Sequence, residues 1–140
     1  MAKGPDPRIQ TAPLEDVPRL LREGAAEFNA RRFFQAHEAW ESAWHALRKH
    51  GAPDPAELLH GLILVAAALE NATRGKEVGF KRQYAEGLYL MRTHQGAAAG
   101  IGLSPHLLDD LALLYVDACR RLDWEHWRGS DWSAPRVEFG

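Results

Sequence analysis

The chain has a single cysteine, Cys119. One thiol closes no internal disulfide, so stability must come from packing, and a reducing compartment is the expected setting. Charge of one sign is also lacking. The formal net charge is −2 and the basic residues are scattered among acids, so neither nucleic acid nor an anionic membrane is expected as a partner. Long apolar runs are scarce: the longest, Leu58 to Leu69, is interrupted by His60 and predicts no bilayer span. Met1 to Pro13 holds three prolines and no apolar stretch. It reads as a flexible arm, not a signal peptide, and a cytoplasmic protein is expected. Strand patterns, internal repeats and low-complexity tracts are missing. Gly96, Gly100 and Gly102 make no phosphate loop, because no strand precedes them and no Gly-Lys-Ser/Thr follows.

What the chain does have is helical punctuation. Val17, Leu21, Gly24/Ala25 and Phe28 recur at helical spacing and predict a first helix from about Asp16 to Arg31, with Pro18 tolerated in its first turn. A second helix is expected over Phe33–Lys49, closed by Gly51. In Pro53-Asp54-Pro55-Ala56-Glu57, Asp54 reads as a cap, Pro55 as the first helical residue and Glu57 as a capping-box partner. The third helix then runs from Pro55 to Arg74, before Gly75. It is apolar all round, so it should be central, with Gly61 and its alanines letting neighbours approach. Phe80, Tyr84, Leu88 and Met91 mark a fourth helix over Glu77–His94. Gln95 to Leu103 reads as a loop. A fifth helix runs from Ser104-Pro105 to about Leu122, burying Leu107/Leu108, Leu111, Leu114/Tyr115 and Ala118, with Cys119 as a core thiol. The last stretch, Asp123 to Gly140, holds Trp124, Trp127 and Trp132. Three tryptophans predict docking, on the chain's own domain rather than on a second subunit. The expected architecture is all-α: a single-domain five-helix bundle or array over 14–122, with the arm at 1–13 and a docked Trp-rich tail at 123–140.

The densest chemistry lies between Phe33 and Trp44, where two Phe, two Trp, one His and two Glu fall within twelve residues. At 100° per residue they separate into arcs. Phe33, Ala36, Trp40, Ala43, Trp44 and Leu47 form a core arc. Gln35, Ala39, Ser42 and Ala46 lie opposite, toward solvent. His37, Glu38, Glu41 and His45, with Phe34, line the flank between. On the third helix His60, Ala67, Asn71 and Arg74 form one strip, with Ile63 and Glu70 beside it. If strip and flank face each other, His37, Glu38, Glu41, His60, Glu70 and Asn71 line one polar cleft with Trp40 and Trp44 as walls. Arg74 would then pair with a carboxylate at its end.

Four readings follow. One is a binding or accessory module for a small molecule or a protein partner. A second is a hydrolase-like enzyme, with Glu38 or Glu41 as general base and His37 as its partner or as a metal ligand. A third is a structural homodimer joined by the tail. The plainest is a set of surface hydrogen bonds one turn apart. No cofactor is assigned. A divalent metal at His37, Glu38, Glu41 and His60 stays open, although the motif grammar is incomplete: His37-Glu38 starts like a zinc-protease motif, but residue 41 is Glu, and Glu38-x-x-Glu41 lacks the His of a di-iron bundle. His94, His106 and His126 read as surface or capping residues.

Phe28-Asn29-x-x-x-Phe33-Phe34-x-Ala36-His37-Glu38-x-Trp40-Glu41-x-x-Trp44, with Gly61-Leu62-Ile63-x-x-Ala66-Ala67-Ala68-Leu69 and Arg74-Gly75, resembles the domain of unknown function 309 family. The resemblance covers about residues 15 to 76. It implies a small, soluble, all-α protein of the prokaryotic or plastid kind, and no established activity, cofactor or partner. The chain departs from the family pattern at Gln35, where the family has Glu. It departs again at His60 and Leu64, where the family has Gln, and near Glu70 and Asn71, where His or Tyr is usual. The departures concentrate on the third helix, so the flank on the second is kept while the wall facing it differs.

Overall fold

The computed structural model describes residues 11–120, 124 and 134–140. Five α-helices carry the chain: α1 Val17–Asn29, α2 Phe33–Lys49, α3 Pro53–Thr73, α4 Glu77–Thr93 and α5 Leu107–Arg120. Each of the first four packs against the next, and α3 lies between α2 and α4. α3 is long and apolar enough to cross a bilayer by length and composition alone, yet most of it is buried inside the bundle, as a central helix requires. Gly61 and Gly87 set the α3–α4 distance: a Cβ on either would lie 2.6 Å from the carbonyl oxygen of the other. Gly24 does the same for α1, since a Cβ there would strike the indole of Trp40.

One connection is used four times. Arg31, Gly51, Gly75 and Gly102 adopt positive φ, between 62° and 75°. In each turn the next N–H reaches back five residues: Arg32 to Glu27, Ala52 to Leu47, Lys76 to Asn71 and Leu103 to Ala98, at 2.8–3.0 Å. This is the Schellman closure, which satisfies carbonyls that the helix leaves open. Glycine takes the left-handed position without a Cβ penalty, and only Arg31 occupies it with a side chain.

The helix starts differ from expectation. A 3₁₀ turn, Leu14–Asp16, precedes α1. α3 begins at Pro53 and has no side-chain cap. Pro53 takes the first position, where a missing N–H costs nothing. The Asp54 carboxylate lies 3.1 Å from His94 Nδ1 instead of capping, so the predicted capping box at Glu57 does not form. Gln95–Ala97 and Ala99–Ile101 are 3₁₀ turns within the predicted loop. Ala46, expected in solvent, is fully buried, because α2 packs on both α1 and α3 and its covered arc is wide. Cys119, expected in the core, is exposed. Leu107, Leu111 and Ala118 are the buried line of α5, and Cys119 sits 100° further round.

Two parts of the tail are described. Trp124 packs its ring 5.3 Å from that of Phe80. The stretch 134–140 lies extended: Val137 is 1% exposed, and Phe139 forms an isolated antiparallel bridge with Leu103. The predicted arm falls outside the described residues as far as residue 10. Trp127, Trp132, His126 and the predicted end of the fifth helix at Leu122 fall outside them too.

Candidate functional site

The site grows from the flank of α2. His37, Glu41 and His45 stand one helical turn apart. His37 Nε2 lies 3.4 Å from one Glu41 oxygen and His45 Nε2 lies 3.7 Å from the other. These contacts are longer than a well-formed hydrogen bond and are ion pairs only when the imidazoles are protonated. Both imidazoles turn Nε2 toward Glu41 and bury Nδ1, and neither Nδ1 has a hydrogen-bond partner.

α3 faces this flank, and the expected cleft divides in two. Toward the start of α2, Phe34 and His37 meet Ala67, Glu70 and Asn71 of α3 and Gln83 of α4 around a pocket of about 200 Å³. The Phe34 and His37 rings are close to parallel, at 13° and 6.3 Å between centroids, and Phe34 keeps half its surface exposed. Asn71 Nδ2 donates to Gln83 Oε1. That leaves the Asn71 carbonyl as an acceptor and the Gln83 amide as a donor. Gly79 makes room for this pair, since a Cβ there would lie 2.9 Å from Asn71 Nδ2. Arg74 Nε donates to Glu70 Oε1 at 3.0 Å and leaves the second carboxylate oxygen open.

Toward the end of α2, Trp44 is the centre. His45 lies 5.0 Å away and His60 5.3 Å. The Arg48 guanidinium sits 4.8 Å above the indole, a cation–π arrangement. Trp44 is therefore a boundary residue, not the core residue its arc predicted. Its indole N–H is buried without a partner.

Other sequence candidates fall elsewhere. Trp40 is no wall: it is fully buried and its indole N–H donates to Leu21 O at 3.0 Å. Glu38 is exposed and lies outside the pocket lining; its backbone carbonyl accepts from Ser42. His60 belongs to the Trp44 end. Among the described residues no group of three or more His, Cys, Asp or Glu side chains is arranged to hold an ion. Gln83 sits on α4, outside the α2 and α3 faces on which candidates are expected; its helical register with Gly79 is the available sign. Asn29, another residue with no expected role, hydrogen-bonds the tail backbone through its side chain.

Fold and site together define a class: an all-α bundle with a small pocket of mixed apolar and polar lining between α2, α3 and α4. The chain belongs to the family described as Domain of unknown function (DUF309), which matches residues 21–95. That span contains every residue lining the pocket. Neither the curated proteins nor the solved structures contain a match to the chain.

Proposed function

We propose that the protein is a binding module whose pocket between α2, α3 and α4 takes a small planar group rich in hydrogen-bond donors, such as an amide or a guanidinium. The observation that carries this reading is the convergence of an exposed aromatic face with unsaturated hydrogen-bonding groups. Phe34 is half exposed, while Glu70, Asn71 and Gln83 reach the same pocket of about 200 Å³ from two other helices. A planar group can stack on Phe34 and donate to the Glu70 carboxylate and the Asn71 side-chain oxygen; an amide, unlike a guanidinium, also accepts from the Gln83 side-chain N–H on its carbonyl. Binding is favoured over hydrolysis because neither base candidate, Glu38 or Glu41, lines the pocket. The test is titration of ¹⁵N-labelled protein with methylguanidinium, benzamidine and acetamide, followed at the Asn71 and Gln83 side-chain amides. A saturable shift with at least one probe is expected, lost in Phe34→Ala and Glu70→Gln. If all three probes leave both amides unmoved at millimolar concentration, the reading is wrong.

A further inference from the structure

The stretch 134–140 is held in a way that reads its backbone more than its side chains. Asn29, at the end of α1, donates from Nδ2 to Val137 O at 2.9 Å and accepts the Val137 N–H on Oδ1 at 2.8 Å. One side-chain amide thus satisfies both main-chain groups of one residue, as a neighbouring strand would. The next contacts repeat the pattern: Phe139 bridges to Leu103, and Gly140 N donates to Gly102 O at 2.8 Å. Side chains alternate with period two. Val137 is buried and Phe139 sets its ring edge-on to Trp40 at 6.3 Å. Arg136 and Glu138 pair with each other at 2.8 Å on the exposed face. Main-chain hydrogen bonds with pockets for alternate side chains are the recognition mode of strand-accepting peptide sites.

Three further observations separate this seat from its present occupant. Asn29 and Trp40 lie within the span matched by the family, whereas 134–140, like the 98–105 turn, lies outside it. A shallow cleft of about 600 Å³, open to solvent, lies beside the segment, lined by Arg22, Ala25, Asn29, Ser104 and Pro105 together with the segment itself. Arg22 is exposed there and makes no ion pair among the described residues, so the open part of the cleft carries a positive charge.

We infer that the cleft between α1 and the 98–105 turn is a peptide-docking site, and that 134–140 is its occupant in cis. The partner it fits is an extended segment of another protein, with an aliphatic residue, any residue and then an aromatic residue. An acidic side chain beside that triplet would meet Arg22. The Asn29 amide reads the partner's backbone, the Val137 seat takes the aliphatic side chain and the Trp40 ring takes the aromatic one. The tethered segment competes with any partner, because tethering gives it a high effective concentration. Apparent affinity in trans is therefore reduced by the fraction of molecules whose seat is filled.

The test uses a fluorescein-labelled peptide of sequence Ala-Pro-Arg-Val-Glu-Phe-Gly and the full-length chain. Val137→Glu unseats the internal segment, and helicity by circular dichroism confirms the fold. Fluorescence anisotropy should show binding at least tenfold tighter to Val137→Glu than to wild type. Adding Asn29→Leu should abolish it, and a scrambled peptide should bind neither. No binding to the folded variant overturns the inference. Should the variant fail to fold, hydrogen exchange on wild type decides. Val137 and Gly140 amides exchanging at least tenfold faster than those around Trp40 indicate a seat that opens locally and support the inference. Exchange at the same rate as the core overturns it. Concentration-dependent dimers of wild type, lost in Val137→Glu, would make a second copy the occupant and overturn the partner assignment.

Discussion

The core and the flank of α2 treat their polar atoms in opposite ways. In the core, the Trp40 indole donates to Leu21 O, and the Tyr84 hydroxyl, in a fully buried residue, donates to Leu111 O at 2.7 Å. On the flank, only one turn along the same helix, the Trp44 N–H and the Nδ1 atoms of His37 and His45 are buried without partners. An unpaired buried donor costs about 1–3 kcal/mol. Trp40 and Tyr84 avoid that cost, and the flank of α2 carries it. Stability is built on one side of α2, and unfilled hydrogen-bonding capacity is kept on the other.

The contrast can be broken most forcefully at Trp40. Trp40→Ala removes the largest fully buried side chain and should cost about 3–5 kcal/mol in urea denaturation. A loss near 1 kcal/mol would mean that the core closes up around the gap and that Trp40 is no keystone. Tyr84→Phe should cost less, about 1 kcal/mol, for one lost hydrogen bond. It also carries a pH signature. Burial holds the Tyr84 hydroxyl well above its ordinary value of 10.0. A raised folded value means that the contribution is complete below about pH 10, where the unfolded phenol is also neutral, and is lost as pH rises further. The alkaline fall in stability should be shallower in Tyr84→Phe. An unchanged alkaline limb would assign that fall to other groups, Tyr115 first, whose hydroxyl is also raised, mainly by burial. The smallest effect is expected at Trp44. Trp44→Phe deletes an unpartnered donor and weakens a cation–π contact, so the two changes offset and stability should move by no more than about 1 kcal/mol. A loss as large as that of Trp40→Ala would erase the distinction between the two sides.

The helices were legible because their signals are local. Apolar spacing located all five, and Gly51 and Gly75 marked turns that the backbone does make with positive φ. α2 was read to both its ends. The start of α3 was misread because Asp54 has two possible partners, nearby amides or His94, and only the fold decides between them. The flank of His37, Glu41 and His45 was legible from one helix alone. What faces it was legible in part: the α3 strip suggested Glu70 and Asn71, but Gln83 comes from a third helix and needs a tertiary register that no single-helix projection contains. Cys119 was misplaced because it lies one residue from the buried line of α5, and an error of 100° separates core from solvent. Asn29 stood in plain view within a motif, yet its partner Val137 is 108 residues away, beyond the reach of any periodicity.

That separation also bears on time. The four repeated turns join helices that pack against their sequence neighbours, so most of the bundle can assemble through short loop closures, which favours folding in about microseconds to milliseconds. The bond between Asn29 and Val137 instead closes a loop of more than a hundred residues and carries the largest closure entropy among these contacts. The extended segment should therefore dock last, on a bundle already formed. Each molecule would then pass, once after its synthesis, through an interval in which the cleft on α1 is complete and its own segment has not yet arrived.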